Sequence, residues 1–311
     1  MEGGLFLRRE ALALLEETNP GERRYFLARP KGALCGIAVA HRVALNPLMY
    51  LGRVAQLRLW IVGVPCSVSV GGFHALPSGE DTLLEALRQV LGWFLILNLR
   101  QPLRNLRAAP TLPDIRMPIA ARSFPEYWES LRSPYRRWLK RSMAGTTDLR
   151  VEVCSPSPEL AGEIYGLYRS VYQRSPYKLE CQGIGFFARF PGKLLLLRQA
   201  GECRAFALVA WESEVLSFVF CGFDSGRTAI PVYVRLLTEI VRYGIDHGFR
   251  IISFGQTAEE TKLRLGGICE SRYMHVGCRW RWLEALGGMA LGALAYRRRA
   301  TQRSVFRRTG R

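Results

Sequence analysis

Apolar and polar residues recur with different periods along the chain, and the periods predict strands and helices in turn. The clearest signal begins with the apolar run Leu216–Phe223, which predicts a buried strand. From Pro231 to Gly248 apolar residues recur at steps of three and four, which predicts an amphipathic helix. The apolar positions are Val232, Leu236, Ile240, Tyr243 and Ile245. Arg250–Phe254 predicts a short buried strand that Gly255 ends, so the segment is one strand-helix-strand unit.

A second helix is predicted directly after this unit. Thr257 and Glu260 have the spacing of a capping box, in which the hydroxyl and the carboxylate bind free backbone donors of the first turn. Lys262 lies inside the helix, and Gly266–Gly267 ends it.

The rest of the chain carries weaker signals of the same kinds. The predicted helices are Glu10–Glu17, Glu80–Trp93, Pro125–Met143 and Glu159–Gln173, and the predicted strands are Tyr25–Arg29, Leu34–His41, Val54–Val64, Phe94–Leu99, Leu149–Val153, Leu194–Gln199 and Arg204–Trp211. Ala108–Arg122 contains three prolines and is predicted to be an extended linker. Strands and helices therefore occur on both sides of one central break.

Several of these segments together resemble the GNAT acyltransferase fold, in the FemAB-like or BioF2-like branch with two GNAT-type halves in one chain. The resemblance rests on the helix ending HGF, the strand IISFG and the segments QTAEETKLRLGG, SFPEYWESLRSPYRRWLKRS (123–142) and YFLARPKGALCGIAVAHRV (25–43), and it spans about residues 20–280. It implies an α/β fold of mixed twisted sheets flanked by helices, with a GNAT-like half in 1–122 and another, containing the transfer site, in 123–280. An apolar segment and an arginine-rich tail follow in 281–311.

The resemblance also implies where the chemistry takes place. In this fold two parallel central strands separate, here Leu216–Phe223 and Arg250–Phe254, and the acyl donor enters between them. The residues implied for catalysis are Gln256, Glu260 and Asp224; those implied for donor binding are Arg227, Thr257, Lys262, Arg137 and Tyr233; those implied for acceptor binding are Phe73, His74 and Glu80. The pyrophosphate loop of ordinary acetyl-CoA enzymes is replaced by DSGRTAIP, which argues against the usual mode of CoA binding.

Most of these residues also have an ordinary structural interpretation. The capping box accounts for Glu260 without catalysis. Lys262 has the spacing of a helix surface charge, and Asp224 that of the first residue of a turn. His74 lies in a glycine-rich loop, where its signal is weak.

The charge of the chain favours an anionic partner. Of its 311 residues 44 are basic and 26 acidic, which gives a net charge of +18, and 39 of the basic residues are arginines. Residues 100–150 and the tail from Arg297 onward are the most basic regions. An acidic acyl-carrier protein, RNA, a phospholipid head group and an acidic peptide all fit such a field. A solvated basic surface with no partner is the plain alternative.

Metal and targeting signals are missing from the sequence. The eight cysteines stand singly with no CxxC pair, so no metal site is expected. We expect the cysteines to be buried, reduced thiols. The amino terminus has no signal-peptide pattern, and a cytoplasmic protein is expected. The apolar stretch after Trp280 is too short to span a bilayer, which needs about 20 residues. Its aromatic ends and flanking arginines suit either peripheral membrane contact through 280–311, or a packed helix with a disordered tail.

Three functions remain open on the sequence. The first is an N-acyltransferase that moves an acyl group from acyl-CoA, or from the phosphopantetheine of an acyl-carrier protein, to the amine of an amino acid, peptide or lipid. The second is a Fem-type transferase that uses aminoacyl-tRNA as its donor, with the basic helix around Arg137 as the RNA surface. The third is a non-catalytic protein that binds nucleic acid or membranes.

Overall fold

The computed structural model describes residues 4–29, 32–45, 57–66, 69–175, 180–224, 229–297 and 301–307. The chain divides into two compact units. The first contains Met1–Pro113 and Ser271–Arg298, and the second contains Asp114–Glu270 and Arg299–Arg311.

The elements follow in chain order. Those of the first part are α1 (Gly4–Leu7), α2 (Arg9–Thr18), β1 (Arg23–Ala28), β2 (Gly36–Leu45), β3 (Leu57–Val62), β4 (Phe73–Ala75), α3 (Glu80–Leu91), β5 (Trp93–Leu99) and β6 (Ala108–Pro118). Those of the remainder are α4 (Phe124–Ser130), α5 (Ser133–Ser142), β7 (Arg150–Cys154), α6 (Pro158–Arg174), α7 (Ile184–Arg189), β8 (Lys193–Gln199), β9 (Glu202–Glu212), β10 (Val215–Phe223), α8 (Ala229–Asp246), β11 (Ile251–Gly255), α9 (Glu259–Arg264), β12 (Ile268–Cys278) and α10 (Arg281–Leu294).

The first unit is a mixed sheet with the strand order β1-β2-β3-β5-β12, and β4 pairs with β2. β3 and β5 are parallel, and the other neighbours are antiparallel. The connection between the parallel strands includes α3, as a crossover requires. Leu83, Leu84 and Leu87 of this helix are buried in the core with Phe94 and Ile96 of β5.

The second unit repeats this plan with the strand order β6-β11-β10-β9-β8-β7. β10 and β11 are parallel and α8 lies between them in the chain. β9 and β6 lie antiparallel on either side of the pair. The core joins the apolar face of α8, including Leu236, Leu237 and Ile240, to β8, β9 and β11. The predicted fold class, an α/β fold with mixed sheets, is confirmed.

Two predicted elements differ from the structure. Ala108–Arg122 is not a linker, because Ala108–Pro118 forms β6 and its residues Ile115–Pro118 pair with β11. The prolines keep the backbone extended, which a strand and a linker share. The single helix predicted for Pro125–Met143 is two helices, α4 and α5, that break at Leu131 and Arg132. Pro134 causes the break, since proline fits the first turn of a helix and disfavours helical backbone before it.

The predicted capping box at Thr257 is wrong, and serine side chains cap other helices, among them α4. Thr257 and Ala258 have φ of 63° and 48°, and no side chain caps α9. Ser123 caps α4 instead: its hydroxyl accepts from the Glu126 N–H at 3.3 Å, and the Glu126 carboxylate accepts from the Arg122 N–H at 2.7 Å. Left-handed backbone at Thr257 turns its hydroxyl away from the geometry that a cap needs.

We expect Ser123→Ala to lower the free energy of unfolding by about 1 kcal/mol, because the substitution leaves a helix N–H without its acceptor. The matched change Thr257→Ala removes no cap and relieves a β-branched side chain at positive φ, so it should not lower stability. Urea denaturation of the two variants beside the wild type measures both effects. Equal losses would contradict this assignment of the caps.

Candidate active site in the second unit

The two parallel strands of the second unit pair over a short distance only. Among the described residues, β10 and β11 are in register from Val215↔Ile251 to Ser217↔Ser253. β10 then continues for six residues along β9, with a bulge between Phe218 and Phe220. Over Phe218–Phe223, β10 is therefore not paired with β11 along the edge opposite β9. The backbone donors and acceptors of this edge can bind an extended ligand. We call Phe218–Phe223 together with Phe254–Thr257 the fork.

Lys262 of α9 is buried beside the fork. Its side chain is only 2% exposed. The Nζ atom donates to the carbonyl oxygen of Gln256 at 2.6 Å and to that of Gly255 at 3.3 Å, and it lies 5.9 Å from the centre of the Phe218 ring. Lys262 therefore connects the turn after β11 to the helix that follows, and it is not the surface charge of the plain interpretation.

The turn that Lys262 binds has unusual backbone geometry. Gly255, Thr257 and Ala258 all have positive φ, at 70°, 63° and 48°. This region is open to glycine but costs a β-branched residue such as Thr257 energy, so the surrounding structure must hold it there. The ammonium of Lys262 contributes two of the restraining hydrogen bonds. Strained turns of this kind are concentrated at functional sites.

Further polar side chains surround Lys262. The Asp114 carboxylate accepts from the Ser253 hydroxyl at 3.3 Å. Burial lowers the pKa of Lys262 to about 8, although the charges of Asp114, Cys221 and Glu259 oppose this shift. Burial also raises the pKa of the Cys221 thiol to about 12 and that of the Tyr233 hydroxyl well above its usual value. The Cys221 thiol is therefore protonated at neutral pH, which argues against a thiolate nucleophile.

Lys262 makes stability depend on pH in a defined direction. Between pH 8 and the ordinary lysine value of 10.5, the unfolded chain keeps this proton and the folded chain releases it. Folding below this window requires burial of a charged ammonium, and raising the pH through the window removes that desolvation cost. We expect the free energy of unfolding of the wild type, relative to that of Lys262→Met, to rise by about 1–3 kcal/mol across it.

Cys221 and Tyr233 contribute in the opposite direction. The comparison with Lys262→Met cancels the contribution of Tyr233, and the part of the Cys221 contribution that depends on Lys262 stays in the measured difference. Their raised pKa values mean that the unfolded chain loses those protons first, so stability falls as the pH rises. Urea denaturation of both proteins near neutral pH and near pH 10 tests the expectation. Parallel pH profiles would show that Lys262 titrates normally.

The structure gives Glu260 two basic partners. One carboxylate oxygen accepts from Arg264 at 2.9 Å, and the same oxygen binds Arg303 of the carboxyl-terminal segment. That segment packs onto the second unit: Val305 is buried, and the Phe306 ring lies 6.2 Å from that of Tyr127. The disordered tail of the plain interpretation is thus wrong for residues 301–307. Glu260 joins α9 to this segment, which is a structural task.

The remaining predicted residues are distributed between the two units. In the second unit, Gln256 and Thr257 line the fork, the Tyr233 ring lies 5.5 Å from that of Phe223, and Asp224 is exposed where β10 ends. Arg227 lies outside the described residues. The predicted acceptor residues belong to the first unit: Phe73 is buried, His74 bonds the Gly71 carbonyl at 2.9 Å, and Glu80 accepts from the Arg104 N–H at 3.1 Å. The structure thus brings together Gln256, Thr257, Glu260, Lys262 and Tyr233.

Sequence reasoning missed Asp114, Ser253 and Cys221. Cys221 and Ser253 lie inside apolar strands, and Asp114 lies in the segment that the prolines marked as a linker. Asp114 and Ser253 are 139 positions apart, so only the pairing of β6 with β11 brings them together. Cys221 was visible as a thiol within a strand, but a thiol in an apolar run is typical of any core.

A basic surface lies on α5 of the same unit. Arg137, Lys140 and Arg141 are exposed and share one helix face by their spacing. Leu139 is buried, and the Trp138 ring carries the Arg264 guanidinium 5.1 Å from its centre. Trp138 therefore packs against the unit, and the Arg264 guanidinium already covers its ring, so the ring is not free to stack on a nucleotide base. Among the described residues α5 has four basic side chains and no acidic one.

Solved structures share this fold over nearly the whole chain, and FemX is among them, as the resemblance implied. One is the C-terminal domain of a putative lysylphosphatidylglycerol synthetase from Agrobacterium fabrum, with a TM-score of 0.58, 14% identity and coverage of 93% of this chain and 94% of that one. A second is L-PGS from Bacillus licheniformis, with a TM-score of 0.54, 14% identity and coverage of 94% of this chain and 98% of that one. A third is FemX, with a TM-score of 0.55, 10% identity and coverage of 90% of this chain and 98% of that one.

At the level of sequence the chain stands apart. No known sequence family and no curated protein sequence matches it. The identities to the solved structures are low, so the likeness is one of fold.

Proposed function

We propose that the protein is a transferase that moves an activated acyl or aminoacyl group to a nucleophile at the fork of the second unit. The observation that carries this proposal is the fork itself, in which a parallel strand pair opens beside a strained turn held by a buried lysine. The fold shared with FemX and with the lysylphosphatidylglycerol synthetase domain supports it.

The chemistry at the fork is attack on an ester or thioester carbonyl. The nucleophile, an amine or a hydroxyl, forms the new bond to carbon, the carrier oxygen or sulfur leaves, and the proton of the nucleophile passes to the leaving group or to water. The developing oxyanion needs positioned donors, which the open backbone edge of β10 can supply. Lys262 acts as a positioning residue, since both of its hydrogen bonds hold the turn that carries Gln256 and Thr257.

We propose aminoacyl-tRNA as the donor. The exposed cationic side chains of Arg137, Lys140 and Arg141 form a basic surface that can bind a polyanion such as RNA, in the same unit as the fork. The name of one structural neighbour describes a lysyl group joined to a lipid, which is an aminoacyl transfer. The acceptor is then a lipid or a peptide. A carrier-protein thioester is the second candidate, favoured by the same basic surface and by the replaced pyrophosphate loop.

A donor comparison tests the proposal. The purified protein is incubated with a pool of charged, labelled tRNA, with acyl-carrier protein or with acyl-CoA, each beside a mixed lipid and peptide acceptor pool. Label that moves from tRNA into a lipid or peptide, and that declines steeply with salt, is the expected result. Transfer from a thioester alone would select the second candidate. RNA binding without any transfer would support the non-catalytic alternative.

A further inference from the structure

The helix α10 of the first unit exposes large apolar side chains along one face. Trp282, Leu286 and Met289 are 65%, 50% and 52% exposed, and their spacing of four and three places them on one side of the helix. Trp280, directly before the helix, is also exposed. We call this set the α10 face. A helix of 14 residues is about 21 Å long, so the face is an extended strip.

The inner side of α10 holds two glycines and the buried Leu291. A Cβ atom at Gly287 would lie 2.9 Å from the Val276 side chain, and one at Gly288 would lie 3.0 Å from that of Arg107. The helix therefore packs onto the unit through glycines and the buried Leu291, while Trp282, Leu286 and Met289 point outward. An ordinary surface helix has large apolar residues on its core side only, whereas α10 also has them on its outer side. Large apolar residues on an outer face indicate a binding surface.

The charges around the α10 face are positive. Arg279 and Arg281 are exposed at its amino-terminal end, and Arg297 is exposed after its carboxyl-terminal end. The acid of the helix, Glu284, is turned inward and buried, where Arg88 donates to both of its oxygens at 2.8 and 3.0 Å. The outward surface of α10 thus combines tryptophan, aliphatic residues and arginine, the composition of helices that lie in a membrane interface.

We propose that the α10 face docks the protein on the surface of an anionic phospholipid bilayer, with the helix lying in the interface. No helix among the described residues is long and apolar enough to cross a membrane, so the contact is peripheral. The charge favours this occupant over a second copy of the chain, because a symmetric pairing would place like-charged arginines on both sides of one interface.

Cosedimentation with vesicles tests the proposal without any transfer reaction. The probes are vesicles of phosphatidylcholine alone and of phosphatidylcholine with phosphatidylserine. The face variant carries Trp282→Gln, Leu286→Gln and Met289→Gln. The matched control carries Leu27→Gln, Leu76→Gln and Ile184→Gln, whose side chains are 53%, 59% and 47% exposed elsewhere on the chain.

We expect the wild type to prefer the anionic vesicles by at least about tenfold, and the face variant to lose at least about tenfold in partitioning. The control should stay within about twofold, and Arg279→Gln should cost about fivefold on anionic vesicles only. Lack of wild-type binding, an unaffected face variant or an equal loss in the control would overturn the proposal. So would a wild-type dimer, seen by light scattering, that the face variant converts to monomers. Any of these leaves the donor comparison untouched.

Discussion

Lys262→Met should lower the rate of transfer by about 100-fold or more while the protein stays folded. The substitution keeps the length and the buried apolar stem of the side chain but removes the ammonium that donates to Gly255 and Gln256. Without these bonds the turn at Thr257 can leave its left-handed conformation, and a displacement of about 1 Å in a positioned group costs on the order of 100-fold. Single-turnover transfer from the donor identified above measures the effect.

Two controls separate positioning from general damage. Lys193 of β8 is partly buried, donates to the Ser155 hydroxyl at 2.9 Å and lies outside the fork, so Lys193→Met should leave the rate within about twofold. Circular dichroism and urea denaturation show whether Lys262→Met keeps its fold. A loss in kcat with a nearly constant KM is expected, because the groups displaced act on the reacting atoms. Wild-type activity in a folded Lys262→Met protein would remove Lys262 from the site.

Removal of residues 302–311 should lower the free energy of unfolding of the second unit by about 4 kcal/mol or more. The deletion removes the buried Val305, and it also removes Phe306, whose ring a Cβ atom at Gly266 would approach to 2.3 Å. Phe306 is partly buried against the core of the unit, so its loss costs less than the about 3–5 kcal/mol of a fully buried phenylalanine, and the loss of the buried Val305 adds to it. The deletion also removes Arg303 from Glu260 and the Val305 carbonyl that accepts from the Arg132 N–H.

The matched control is a chain that ends at Arg307 and so keeps all the contacts described for this segment. It should unfold at the same urea concentration as the wild type. If both deletions unfold at the urea concentration of the wild type, the contacts of residues 302–307 contribute nothing to stability, which contradicts the prediction. The double substitution Val305→Ala with Phe306→Ala should account for most of the loss in the longer deletion.

Most of the fold could be predicted from local patterns. Leu216–Phe223, Arg250–Phe254 and Glu80–Trp93 are long enough and regular enough in period that the structure places a strand, a strand and a helix there. The predictions were wrong where one sequence pattern is compatible with two kinds of local structure. Prolines in 108–122 demand extended backbone, and they cannot say whether neighbouring strands pair with it.

The site could be predicted in outline only. The position of the fork followed from the resemblance, which implied that Leu216–Phe223 and Arg250–Phe254 separate. The partners within the fork are set by tertiary contacts. Lys262 has the sequence signature of a surface charge, and its burial depends on the unusual turn at Gly255–Ala258. The capping signature at Thr257 and Glu260 failed for the same reason, because backbone with positive φ is hard to read from residues other than glycine.

Photo-crosslinking tests the central claim, that transfer takes place at the fork, most directly. A photoreactive aminoacyl-adenosine, which mimics the acylated end of tRNA, is bound, irradiated and located by mass spectrometry of the digested protein. We predict labelling within Val215–Phe223 and Ile251–Arg264, and loss of that label when charged tRNA competes. Competed label on Phe73–Glu80 of the first unit, or no competed label at all, would contradict the account.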